Sequence, residues 1–199
     1  MTSGVVTSGA VPNEPVDLDA GPLRLRRWRT DDADAVLVAQ RDPDIRAWAG
    51  GHTVTTREDA LALLHRLSTQ ANRASWAVTD AATGELLGSV TAHSIDPIGG
   101  DAKVGYWTVP GARGRSVAAV AVDAACRWVF ATFPVDRIEL FHAAENAASG
   151  RVAAKAGFTC EARLRRSYRY GDGVKHDELL WARLSDDLPP EISARAAGP

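Results

Sequence analysis

Val104-Gly105-Tyr106-Trp107-Thr108-Val109-Pro110-Gly111-Ala112-Arg113-Gly114-Arg115-Ser116-Val117-Ala118 decides how this chain folds. Val104 to Val109 reads as a strand and Pro110 to Arg115 as a loop. Ser116 to Ala131 reads as a helix whose Val117, Val120, Ala121, Ala124 and Trp128 share one face. Arg137 to His142 is a second strand, so a right-handed βαβ crossover with parallel strands is expected. The helix N-terminus then sits at the strand's C-terminal end, where backbone N–H groups without intrahelical partners make an anion site. Gly111 and Gly114 let the backbone approach a diphosphate closely, and Arg113 and Arg115 add charge-assisted contacts. No Lys-Ser or Lys-Thr follows the glycines and the dinucleotide glycine spacing is absent, which excludes both of those phosphate-binding patterns.

Towards the N-terminus, Leu23, Leu25 and Trp28 suggest a first strand, with a helix from about Asp31 to Gln40 behind the capping cluster Thr30-Asp31-Asp32. Thr56 and Glu58-Asp59 open another helix along Ala60, Leu61, Leu64 and Leu67. Trp76 to Val78 and Leu86 to Ile95 are strands joined by the turn Asp80 to Glu85, and should pair antiparallel. Towards the C-terminus, Asn146 to Ala156 is a short helix ended by Gly157. Phe158 to Arg169 and Val174 to Leu184 flank the turn Gly171-Asp172-Gly173. Residues 1–20 read as a flexible tail, 21–185 as one mixed α/β domain and 186–199 as a second flexible tail.

Lys and Arg number 23 against 25 Asp and Glu, which argues against a whole-chain attraction to DNA or an anionic membrane, so an anion site must be local. Cys126 and Cys160 show no metal-ligand or disulfide spacing. The five histidines offer no zinc-ligand pair, so no metal is expected. With no basic apolar leader and no long apolar run, the expectation is a cytoplasmic protein without a membrane span.

Three further blocks accompany the loop: Gly105-Tyr106-Trp107, Asn146-Ala147-Ala148-Ser149 and Lys155-Ala156-Gly157-Phe158. With the loop between Val109 and Ala118 they resemble the GNAT superfamily of N-acetyltransferases, in the branch of the ribosomal-protein N-terminal acetyltransferases, over about Leu23 to Leu184. The resemblance implies a mostly antiparallel sheet with a splayed parallel pair, and acetyl-CoA, or another short acyl-CoA, entering between the splayed strands. It implies that Arg113, Gly114, Arg115, Ser116, Val117 and Ala118 hold the pyrophosphate. Trp107, Thr108 and Val109 would pair with the pantetheine arm, Asn146 would contact the cofactor, and Ser149 would lie near its sulfur. Ser116 stands where the family usually carries Gly, and Lys103 where many relatives carry an acidic residue.

Acyl transfer to an amine needs a neutral amine, a donor for the oxyanion and an acid for the departing thiolate. Ser149 is the candidate acid, and backbone N–H groups near Trp107 to Val109 are candidate oxyanion donors. Candidate bases are His93, His142 and Glu145, histidine having an ordinary pKa of about 6.5. Each also reads as a surface or structural residue. Trp48 and His52 are the acceptor-site candidates, in a loop from Asp44 to Val54 with Gly50 and Gly51 as hinges. The acceptor is a primary amine of a protein N-terminus or a small molecule. Two other readings stand beside this one: an acyl-CoA-binding sensor with degenerate catalysis, and an RNA-interacting module using Arg163 to Tyr170, a stretch that also reads as a solvated strand face. Homodimerisation is compatible with the sequence, although no helix or strand announces an interface.

Overall fold

The computed structural model describes residues 15–49 and 54–192. Its sheet is built from β1 (Leu18–Ala20), β2 (Leu23–Arg26), β3 (Arg73–Asp80), β4 (Leu86–Asp96), β5 (Asp101–Thr108), β6 (Arg137–Ala143), β7 (Thr159–Arg169) and β8 (Lys175–Leu184). The helices are α1 (Ala33–Ala39), α2 (Pro43–Trp48), α3 (Arg57–Thr69), α4 (Val117–Thr132) and α5 (Ala147–Lys155). The strands lie in the order β1-β2-β3-β4-β5-β6-β8-β7, and every neighbouring pair is antiparallel except β5 and β6. This is the expected mixed sheet with one parallel pair.

That pair is short. It spans Asp101 to Lys103 against Arg137 to Glu139, and β5 runs on to Thr108 without β6 beside it. Parallel strands joined by the crossover helix α4 are held together at their beginnings and diverge towards their C-terminal ends.

Each sheet face carries its own apolar cluster. On one face Val117, Ala121, Val122, Ala125 and Val129 of α4 meet Val90, Val104, Ile138 and Leu140. On the other, Val36, Ala60, Leu63 and Leu64 of α1 and α3 meet Trp28 and Ala77. α3 forms where Thr56 caps Asp59 N–H at 3.1 Å while the Asp59 carboxylate accepts Thr56 N–H at 2.9 Å, a capping box. In the β3–β4 turn the Asp80 carboxylate accepts the N–H groups of Ala82 and Thr83, and Gly84 takes the left-handed φ of +75° that the turn requires.

Three segments differ from the sequence expectation. Leu18 to Ala20, inside the expected tail, is a strand paired with β2, and Trp76 Nε1–H donates to Val16 O at 2.9 Å. Pro43 to Trp48, expected as loop, is the helix α2: Asp42 caps Ile45 N–H at 2.9 Å and Pro43 opens the first turn. Both signals were present, in a segment too short to show an apolar period. In the expected C-terminal tail, Ile192 packs against the core and Pro190 lies against Gly157. Among the described residues no helix is long and apolar enough to cross a membrane.

Arg183 on β8, 3% exposed, ties the sheet to α4 and α5 by donating to Asp123 Oδ1 at 2.8 Å and Ala156 O at 3.1 Å. Arg183→Ala strands a buried carboxylate and is expected to lower the unfolding free energy by about 3 kcal/mol. Urea titration measures this, and a loss below about 1 kcal/mol would show that Arg127, the second partner of Asp123, suffices.

Candidate active site

After β5 the chain makes a short 3₁₀ turn, Pro110 to Ala112, in which Ala112 N–H donates to Val109 O and Arg113 N–H to Pro110 O. Gly114 and Ser116 then adopt left-handed backbones, with φ of +74° and +66°. Ser116 is the N-cap residue of α4, yet its hydroxyl caps nothing. It accepts from Lys155 Nζ at 2.5 Å, across from the end of α5. The first intrahelical bond is Val120 N–H to Ser116 O. Among the described residues nothing accepts from the N–H groups of Gly114 to Ala119. A 16-residue helix thus presents an uncapped positive end to the turn, the arrangement an anion requires. Gly114 has open space where a Cβ would stand, so the backbone can be approached closely.

The two arginines behave differently. Arg113 turns away from the amides and donates to Asp42 and Asp44 at 2.5 and 2.9 Å, tying the turn to the start of α2. The guanidinium expected to contact the pyrophosphate is here engaged by two carboxylates. Arg115 holds a buried Nε with no partner among the described residues.

Beyond Lys103, β5 offers an unpaired backbone edge towards β6. Val109 N–H donates to Leu87 O at 3.0 Å on the β4 side. Backbone groups alternate along a strand, so Trp107 also faces β4, and Tyr106 and Thr108 turn theirs to the open side. Of the expected oxyanion donors, Thr108 N–H is therefore the one left pointing into the gap.

The β6–α5 junction closes the other side of the gap. Asn146 caps α5 by accepting Ser149 N–H at Oδ1, 3.1 Å away, which fixes the backbone of Ser149. Ser149 is 8% exposed, and its Oγ lies 2.7 Å from the Tyr106 hydroxyl. Burial pushes the Tyr106 phenol up to about 12, with the Ser149 contact acting in the opposite direction. It keeps its proton at neutral pH. Tyr106 is named by the Gly-Tyr-Trp block, but only the strand register brings it to Ser149.

Neither candidate histidine is set up as a base. His142 is 3% exposed with Nδ1 2.7 Å from Ala143 O, while Nε2 accepts from Trp181 Nε1–H at 3.0 Å. The carbonyl fixes the tautomer with its proton on Nδ1, and no ring nitrogen is left to take another. His93 stands in a cross-strand row between Arg73 and Lys103. Burial, then these two cations, lower its pKa to about 4, so it holds a proton weakly. Glu145 accepts from His176 at 3.2 Å.

On the sheet face covered by α1 and α3, Trp107 stacks on Trp28 with centroids 6.3 Å apart. Trp48 packs edge-on against Tyr170 and His176, with centroids 5.7 and 5.6 Å apart. Tyr170 in turn donates to Glu178 Oε1 at 3.0 Å. Glu178 went unnoticed in the sequence, and Tyr170 was read only as part of the Arg163 to Tyr170 stretch, because their pairing depends on which strand face they occupy. His52 lies outside the described residues.

The profile of the acetyltransferase (GNAT) domain matches residues 22–159, and the chain belongs to this family. It is an acetyl-CoA-dependent N-acetyltransferase. YoaA, an uncharacterized N-acetyltransferase of Bacillus subtilis, is 24% identical over 168 residues, covering 83% of this chain and 94% of YoaA. The solved structure of RimL, a ribosomal alpha-N-protein acetyltransferase in complex with coenzyme A, superposes with a TM-score of 0.73 at 20% identity, over 85% of this chain and 98% of that one. The ribosomal-protein-S5-alanine acetyltransferase of Vibrio fischeri gives a TM-score of 0.72 at 20% identity, over 88% and 100%. These two share the fold.

The His93 environment generates a stability test. With a pKa of about 4 folded and about 6.5 unfolded, the unfolded chain takes the proton first. The associated stability is fully present above pH about 6.5 and is lost as pH falls through about 4, at most about 3 kcal/mol. His93→Gln should flatten the urea midpoint over this window, and an unchanged slope would show that His93 is not the group responsible.

Proposed function

We propose that the protein transfers an acetyl group from acetyl-CoA directly to a primary amine, on a protein N-terminus or a small molecule. The observation that carries this reading is the uncapped start of α4 at the mouth of the β5–β6 gap, with the Tyr106–Ser149 hydroxyl pair beside it. The orphan N–H groups of Gly114 to Ala119 fit a pyrophosphate, and the free edge at Tyr106 and Thr108 fits an amide-bearing arm. Bound there, acetyl-CoA supplies an activated acyl carbon and a thiolate leaving group.

The residues divide the remaining work. Thr108 N–H is a fixed donor where negative charge develops on the acyl oxygen. Ser149 Oγ, held by the Asn146 cap, gives its proton to the sulfur side and regains one through the Tyr106 hydroxyl, which water reprotonates. Trp28 and Trp107 wall the gap on the other face and keep it apolar. The acceptor enters from that face, past the wall that α2 and the β7–β8 turn form together. The relatives named for acetylating ribosomal proteins favour a peptide N-terminus as acceptor, while the geometry favours any slim primary amine.

Thiol release from acetyl-CoA across peptide N-termini, amino acids, polyamines and aminoglycosides tests the transfer and identifies the acceptor. Ser149→Ala is expected to reduce kcat by about 10²-fold with the acetyl-CoA dissociation constant unchanged within about twofold. An unaltered kcat would remove Ser149 as the acid, and absence of thiol release with every amine would contradict the transfer.

A further inference from the structure

The described chain buries three carboxylates: Asp32, Asp123 and Glu178. Arg26 pairs with Asp32, and Arg183 and Arg127 with Asp123. Glu178, 8% exposed, has no lysine or arginine in ion-pair reach among the described residues, and its hydrogen-bond partner is the Tyr170 hydroxyl. A buried carboxylate calls for a cation, and among the described residues no lysine or arginine supplies one here.

Its position says where the cation comes from. Along β8, Trp181 reaches His142 and Arg183 reaches Asp123, which places the odd-numbered residues on the face of α4 and α5. Glu178 therefore points to the opposite face, and it pairs with Ala143 at the far end of β6, where the gap beside β5 is open. The walls there are aromatic: Trp48, Tyr170 and His176 meet mutually edge-on at 5.6 to 5.7 Å, with Tyr168 4.9 Å from Tyr170. The Trp48 wall is fixed. Gly171 N–H donates to Ala47 O at 3.0 Å, and a Cβ on Gly171 would lie 1.9 Å from Arg46 O, so α2 and the turn meet backbone to backbone. Glu145 and Asp172 are both bonded to His176, and the same two elements, α2 and the β7–β8 hairpin, carry Arg46, Arg169 and Lys175, of which Arg169 donates to Gly173 O. Asp177 is turned to Arg163.

We propose that Glu178, within the Trp48–Tyr170–His176 wall, seats the acceptor's ammonium group and takes its proton before attack. This rests on the acetyl-transfer reading. The Trp48 and Tyr170 ring faces attract the cation and the carboxylate neutralises it. One proton passes from R–NH3+ to a Glu178 oxygen and then to water, freeing the nitrogen lone pair. The second leaves nitrogen as the amide forms and balances the proton that Ser149 gives to the thiolate.

The test uses n-butylammonium chloride, with CoA present, and follows the backbone amides of Tyr170 to His176 by NMR. Saturable shifts are expected for the wild type and none with butan-1-ol. Glu178→Gln should weaken binding at least about tenfold. Glu178→Asp, which keeps the charge and withdraws it, should weaken it less, while calorimetric CoA affinity stays unchanged in both. Equal binding by wild type and Glu178→Gln, or no ammonium-specific shift in the wild type, would overturn the seat. Because these readouts do not need turnover, they fail separately from the transfer itself. With an acceptor in hand, Glu178→Gln should lower kcat/KM at least about 10²-fold, and a retained kcat/KM would overturn the proton role.

Discussion

The parallel ladder between β5 and β6 ends after Lys103 and Glu139, and the rest of the molecule is arranged around that ending. Backbone donors and acceptors in the middle of a sheet are ordinarily paired, because leaving them dry and unbonded is costly. Here the unpaired edge is kept open. β4 holds β5 from one side through Thr108, and β8 holds β6 along its whole length, so the two halves of the sheet stay apart without losing their own pairing. What fills the gap must be long, thin and able to hydrogen bond, with an anion at the end nearest α4. Acyl-CoA has that shape.

Two contacts hold the turn before α4, and one of them runs on to α2 across the gap. Lys155, at the end of α5, bonds the side chain of Ser116 at the start of α4, where a left-handed backbone would suit glycine better. The strain at Ser116 is thereby accepted in exchange for a cation beside the orphan amides. Arg113 ties the same turn to Asp42 and Asp44, and through α2 to Trp48 and the β7–β8 turn. The phosphate turn and the acceptor wall are thus mechanically continuous. The Arg113 side chain, which the sequence marks as an anion ligand, pairs with two carboxylates, and the anion site proposed above rests on the backbone.

Much of the fold was legible in the sequence because each element announces itself locally. The apolar face of α4, the glycine-rich turn before it and the caps of α3 and α5 are short-range signals, and the strand–helix–strand order settles the parallel pair. Of the proposed site, the α4 start and Ser149 were legible, while the capping of Ser149 N–H by Asn146 is seen only in the structure. What was not legible depends on tertiary register. That Tyr106 meets Ser149, that both nitrogens of His142 are engaged, and that Glu178 is buried with no lysine or arginine partner among the described residues follow from which face each strand residue occupies. α2 was missed for another reason: six residues bearing a good cap are too few for a periodicity.

The most direct measurement is a titration of the 15N-labelled protein with acetyl-CoA, followed through every backbone amide. The account predicts that the largest shifts fall on Gly114 to Ala119, with a second group at Tyr106 and Thr108 on the open edge of β5. Binding that leaves these amides unmoved and shifts others, or no binding at all, would contradict it.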